Sequence, residues 1–392
     1  MRSRRVLAVL AAAAGLALGA TALLPARVDE VARSVEQVRG RRFEHAVPAS
    51  EIDTVELKRI LKSKIGESFP ASPADTLRTL AAFGFIEDSP DLLEKLVDLY
   101  VSQVIAFYDP EPKRFYVVKG AEKALDSSGL GGGASEMAEK LIFSHELTHA
   151  LQDETLRLDR RLKELKDDGD RALALECLLE GEATLVMVRV ILADLPEAGE
   201  QVEESLEPLL SPGALEKANI PKDLPDYFVE QLFFPYSEGT AYVRRAWKRR
   251  GWAEVDQLWK SPPISTAEIL HDGVHFTPAT GLLPADGAAL APNGMRFLYA
   301  DTLGEWSIRF LLRRGMEVSI ADDAASLWRG DRIAFYASSN AISYVWHLRL
   351  ESPGAAERFA ALWRKSRAAR KELVARRGAD LIVTSGFEKA PI

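Results

Sequence analysis

The sequence predicts an α+β fold, mainly helical and in two lobes, from three observations. Apolar residues recur at helical spacing along most of the 392-residue chain. Gln103 to Val118 instead holds two β-branched and aromatic runs on either side of Asp109-Pro110-Glu111-Pro112, the pattern of a hairpin and a small sheet. An acidic, proline-punctuated stretch at 196–226 separates the lobes. They are expected at 27–200 and 201–392, behind a leader at 1–26.

The composition is 47% hydrophobic and 28% charged, an ordinary globular balance with enough chain for two cores. Arg2, Arg4 and Arg5 precede an apolar run from Val6 to Leu24, with small-residue cleavage sites at Ala20-Thr21-Ala22 and Leu24-Pro25-Ala26. This is the pattern of an export signal or, uncleaved, of a single N-terminal anchor. Loss of those three arginines takes the formal charge from −8 to about −11, so nucleic acid is not an expected partner. No other segment is a spanning candidate. The expected location is the periplasm, the cell envelope or the outside of the cell. Cys177 is the sole cysteine and excludes an intrachain disulfide.

In chain order, residues 27–66 mix charges with Ile52, Val55, Ile60 and Leu61 and read as amphipathic helices. Further helices are expected at Ala74–Phe83 and Pro90–Val101, leading into the hairpin. The glycines of Ser127 to Gly133 form a loop, and without a following Lys-Ser/Thr they do not cradle phosphate. Ser135, Glu136 and Glu139 suit the start of a helix that runs to about Asp153 and is largely apolar beyond its first turn, hence buried. Residues 154–171 are charged and read as a break, with Asp170 capping a helix from Arg171 to about Leu195. Beyond Tyr227 the chain reads as mostly helical, at Glu238–Arg250, Trp252–Trp259, Asp301–Arg314, Asp322–Trp328 and Ala355–Arg377. Its seven tryptophans read as core, and Lys and Arg at 364–377 as a solvated face.

The chemistry concentrates in His145-Glu146-Leu147-Thr148-His149. Residues four apart share a helix face, so His145 and His149 can offer two imidazole nitrogens to one metal ion with Glu146 beside them as a base. A catalytic zinc site needs a third protein ligand and a position open to water. Glu176, Glu180 and Glu182 on the next helix are the candidates. Gly181 favours Glu180, because a glycine beside the ligand lets two helices approach closely.

With Glu180-Gly181-x-Ala183 downstream, this pentapeptide resembles the gluzincin group of zinc metallopeptidases. More closely, the chain is similar to a group of uncharacterised exported bacterial proteins. They share Ala106 to Pro110, Ser144 to Asp153, Leu179 to Thr184, Pro235-Tyr236 with Gly239, Ser265-Thr266 with Ile269-Leu270-His271, and Trp328-x-Gly330-Asp331-Arg332. The resemblance implies a zincin-like first lobe and one Zn2+ held by His145, His149 and Glu180. It also implies peptide hydrolysis with Glu146 as general base. A second donor to the oxyanion is expected at His271, with His275 and Tyr236 as alternatives.

The position four residues beyond Glu180, an aspartate in thermolysin-like enzymes, is Thr184 here, so Asp153 or Glu176 is expected to orient a histidine instead. No aminopeptidase-type Gly-x-Met-Glu-Asn segment precedes the helix. Strand Val104–Tyr108 would instead pair with an extended peptide or protein substrate if it lies at a sheet edge, as an endopeptidase requires. Two other readings are a catalytically weak zinc-binding scaffold of the cell envelope and zinc hydrolysis of a cell-wall ester or amide.

Overall fold

The computed structural model describes residues 24–120, 133–194 and 223–388, apart from 88, 90, 278, 283–286 and 293. The leader before Leu24, the glycine loop at 127–132 and the stretch at 196–222 lie outside the described residues. So do the side chains of Ser135 and Glu136. No described helix is long and apolar enough to cross a membrane.

The N-terminal part carries helices α1 (Leu24–Arg39), α2 (Thr54–Ser68), α3 (Pro73–Phe83) and α4 (Leu92–Gln103). Local chemistry sets the starts of α2 and α3. The Asp53 carboxylate accepts from Glu56 N, and the Ser72 hydroxyl accepts from Asp75 N ahead of Pro73. Between them lies a three-stranded sheet, with strands β1 (Ala49–Ile52), β2 (Ala106–Asp109) and β3 (Arg114–Val118) in the order β1-β3-β2. The hairpin is β2 with β3. Strand β1, parallel to β3, is an addition to the expected sheet, because four residues are too few to show an alternation.

Helix α5 (Gly133–Leu156) holds the two histidines, and all its residues from Ile142 to Asp153 are buried. The charged stretch after it is not only a break. Asp153 accepts from Leu158 N and starts a short helix, α6 (Leu158–Glu164). Helix α7 (Gly169–Asp194) follows, apolar on every side and therefore buried on every side. Its Val186 and Val190 pack with α1 and α5. Leu175, Leu178 and Leu179 pack with Val243, Val255 and Trp259, and Leu173, Ala174 and Cys177 enter the C-terminal core.

That C-terminal core corrects the expectation of a mostly helical second lobe. Helices α8 (Asp226–Phe234), α9 (Thr240–Arg250), α10 (Trp252–Lys260), α11 (Thr266–Leu270), α12 (Gly304–Arg313), α13 (Val318–Ala325) and α14 (Pro353–Ser366) are present. They accompany a five-stranded antiparallel sheet of β4 (Arg296–Asp301), β5 (Trp328–Ala337), β6 (Ile342–Leu350), β7 (Leu373–Arg377) and β8 (Asp380–Ser385), ordered β4-β5-β6-β8-β7. The helix expected over 355–377 ends at Ser366, and its continuation is β7. The helix expected over 322–328 ends at Ala325, and Trp328 opens β5.

Nor does the packing divide near residue 200. Phe83 of α3 lies edge-on to Tyr344 and Trp346 of β6, and buried Arg367 donates to the Phe83 carbonyl at 2.5 Å. Arg367 also pairs with Glu372, so the basic run at 364–377 is not simply a solvated face. Five of the seven tryptophans are core as expected, with Trp328, Trp346 and Trp363 among the largest fully buried side chains, and Trp247 and Trp252 are partly buried.

The shared motif around Asp331 has a structural explanation. Its carboxylate accepts from Leu303 N and Gly304 N at the start of α12, and from the indoles of Trp328 and Trp346. Thr266 continues the chain of bonds, accepting from Trp306 N and donating to Asp170 at the start of α7. The sheet thereby fixes the N-terminal end of α7.

Candidate metal centre

Helices α5 and α7 bring His145, His149 and Glu180 together with their ligand atoms all within 4.8 Å of one another. Glu180 Oε2 lies 3.0 Å from His145 Nε2 and 3.5 Å from His149 Nε2. Ligands on a tetrahedral zinc ion at about 2.0–2.1 Å stand roughly 3.3 Å from each other, so the two histidine–glutamate spacings suit such an ion. The hydrogen-bond pattern agrees, because His149 Nε2 is buried with no hydrogen-bond partner. A buried nitrogen without a partner is costly unless something else takes its lone pair. Two imidazoles and one carboxylate form a donor set that zinc accepts.

Among the three glutamates, Glu180 alone faces both histidines. Glu182 points away and is taken by Arg39, Gln152 and Trp259. Gly181 does allow a close approach, but not to the histidine helix. A Cβ there would overlap the backbone carbonyl of Gly239 and stand 2.9 Å from Val243 Cγ2. Gly239 in turn backs onto Cys177 of α7, where a Cβ would lie 2.8 Å from Cys177 Cα. This contact seats a π-helical turn, Pro235–Gly239, directly on α7. Such turns are rare and occur mostly at functional sites.

The turn carries Tyr236 to the site. Its ring stacks at 6.0 Å from that of His145, and its hydroxyl is hydrogen-bonded to Glu180. Burial, then the charges of Glu180 and Glu146, hold its pKa well above the usual value, so it is a proton donor. His271 is placed elsewhere. It bonds to Glu305 at 2.8 Å beside Arg309, and no hydrogen bond among the described residues joins it to the four site side chains. His275 is exposed.

Glu146 is fully buried beside the ligands. One oxygen accepts from Tyr108 N at 2.8 Å and the other has no partner. Burial pushes its pKa up to about 8, against the charge of His149 and the Tyr108 N–H. Strand β2 supplies that N–H because it is an edge. Val118 N donates to Ile105 O, so alternation turns the backbone groups of Ala106 and Tyr108 away from β3. Burial opposes the charges on His149 and Glu180, and each overcomes it for the other, raising His149 and lowering Glu180. Burial lowers the pKa of His145 and favours its neutral form, the form that binds metal.

Orientation of His149 comes from neither Asp153 nor Thr184. Asp153 accepts from the Tyr108 hydroxyl, and Thr184 Oγ1 is buried without a partner. Gln152 does it instead, with Oε1 at 2.9 Å from His149 Nδ1. The pattern that points to such a partner is an acid four residues after the ligand, and an amide three residues after the second histidine carries no comparable signal.

Residues 296–390 match a family model described as a domain of unknown function, DUF8575. The match spans the five-stranded sheet with α12 to α14 and leaves His145 to Glu180 outside it. No curated protein and no solved structure matches the chain.

Proposed function

We propose that the chain is a zinc-dependent metallopeptidase of the gluzincin type, its first lobe zincin-like, acting as an endopeptidase in the cell envelope or outside the cell. The observation that carries this reading is Glu146, a buried carboxylate with one unpartnered oxygen, next to a His-His-Glu donor set. A base is superfluous where a metal only staples a fold.

His145, His149 and Glu180 would hold the ion, which supplies Lewis acidity toward water and a carbonyl oxygen when bound. Glu146 would take the proton of the attacking water and deliver it to the leaving amine; its raised pKa suits both halves of that transfer. The Tyr108 N–H holds its second oxygen still. Tyr236 is the preferred donor to the oxyanion, in place of His271, because its hydroxyl is already beside Glu180. The outward backbone of Ala106 and the Tyr108 carbonyl suit an extended peptide added as a further strand, the Tyr108 N–H being already taken by Glu146.

The test is metal content together with cleavage of an unbiased peptide library, for wild type and Glu146→Gln. One zinc in both, with cleavage only in the wild type, is expected. Equal cleavage by the two proteins removes Glu146 as the base. One observation favours the second reading, a catalytically silent zinc protein: His145, Glu146, His149 and Glu180 are only 0–4% exposed. Stoichiometric zinc with no cleavage of any peptide by the wild type would select it.

A further inference from the structure

We infer that Arg39, Glu182 and Gln152 form a fixed relay that locks the His149 ring with a proton on Nδ1, so that Nε2 is the nitrogen left to bind a metal ion. The relay begins on α1, more than a hundred residues before the histidine it governs.

The direction of each bond follows from what the atoms can do. Gln152 Nε2 lies 3.1 Å from the Leu179 carbonyl and 2.8 Å from Glu182 Oε2. A carbonyl and a carboxylate only accept, so the amide NH2 must be at that end. The opposite amide orientation would set an oxygen against two acceptors. Gln152 Oε1 therefore faces His149 Nδ1 at 2.9 Å and can only accept. Nδ1 therefore keeps its proton, and Nε2 is the nitrogen that is bare once the ring is neutral.

Glu182 keeps the amide in that orientation as long as it is held still. Arg39 Nε donates to its Oε1 at 2.5 Å and Trp259 Nε1 donates to its Oε2 at 2.9 Å. Arg39 is itself pinned. Its guanidinium bonds to Asp256 at 2.5 Å and lies 4.7 Å from the centre of the Trp252 ring. Both partners of the Arg39–Glu182 pair are nearly fully buried, 2% and 3% exposed. A buried ion pair adds little net stability over well-packed apolar side chains of the same volume. What such a pair does add is a definite geometry, here that of Gln152. Arg39, Glu182 and Gln152 are thus positioning residues that act through His149.

The competing account is that the pair merely ties α1, α7 and α10 together. Two variants separate the accounts. Gln152→Met nearly keeps the side-chain volume but offers only the weak acceptor of a thioether and no donor. Arg39→Met with Glu182→Leu removes both charges at once and leaves none stranded. The readouts are the 15N ring resonances of His149 in the zinc-free protein at ~pH 10.5, above the raised pKa of the ring, and the zinc affinity by competition with a chromophoric chelator. Wild type should show the Nδ1-protonated tautomer. Both variants should show a mixture of tautomers, with zinc affinity lower by about 10–100-fold. A purely structural pair predicts an unchanged ring and unchanged zinc affinity in the double variant, and that result overturns the relay. An unchanged ring in Gln152→Met overturns it as well, and decides the matter alone should the double variant not fold. The relay's use rests on the zinc reading above, yet failure of the two is distinguishable. A wild type that binds no zinc removes that reading, while the tautomer measurement still judges the relay.

Discussion

Gly181 and Gly239 back onto each other with no room for a side chain on either, and this contact sets the distance between Glu180 and Tyr236. A Cβ on Gly181 would overlap the Gly239 carbonyl and crowd Val243. Gly181→Ala must therefore push the π-turn off α7, and an overpacked core costs about 1–3 kcal/mol or more. Urea denaturation should show at least that loss, with weaker zinc binding. An alanine variant as stable as wild type would mean that the two helices do not meet this closely.

Glu180→Ala removes the oxygen that both histidines face. Zinc affinity should fall by more than ~100-fold, beyond the loss usual for an outer partner of a ligand. Glu176→Ala is the matched control on the same helix and should keep its zinc. Elemental analysis after gel filtration reads both, and a zinc-loaded Glu180→Ala protein would move the third ligand elsewhere.

Tyr236→Phe deletes one hydroxyl and leaves the ring stacked on His145. Turnover of a peptide found in the library screen should drop by ~10^2–10^3-fold with zinc retained, the usual effect of losing one oxyanion donor. His271→Ala, whose side-chain hydrogen bonds among the described residues go to Glu305 and Arg309, should leave the rate near wild type. The reverse ranking would restore the histidine as the donor.

Asp170 gives the fold a pH dependence of calculable sign. Burial raises its carboxyl to about 7, against the bonds from Thr266. The folded form thus holds a proton that the unfolded chain, with an ordinary aspartate, has lost. Its contribution is fully present below about pH 4 and is lost as pH rises through about 7. An asparagine in its place would still accept from Thr266 without ionising. Melting curves across pH 4–8 should therefore show Asp170→Asn gaining on wild type as pH rises, by up to about 3–4 kcal/mol. A constant offset between the two proteins would refute the assignment.

The sequence shows the site better than its surroundings. Two histidines at helical spacing and a glutamate beside a glycine are local patterns, and so is the hairpin of Ala106 to Val118. Strands β5 and β6 escape a sequence reading because they are buried on both faces, which erases the polar–apolar alternation that marks a half-exposed strand. Strand β7, Leu-Val-Ala-Arg-Arg, looks like more of the charged helix before it. Tyr236 carries no pattern that ranks it above His271. Its place beside Glu180 depends on a π-turn seated by the fit of Gly239 against Cys177, a contact between residues far apart in the chain. The same holds for Gln152 and Arg39, which meet only through Glu182.

Helix α7 also governs when the site comes into being. Its Leu173, Ala174 and Cys177 share a core with Trp328, Trp346 and Val383, residues made long after it. A nascent chain that has reached residue 200 already holds both histidines and the base, yet the helix bearing Glu180 still has three of its core residues facing water. Such a chain owns every ligand but has no fixed place for them. The late strands thus complete the site without contributing a ligand to it.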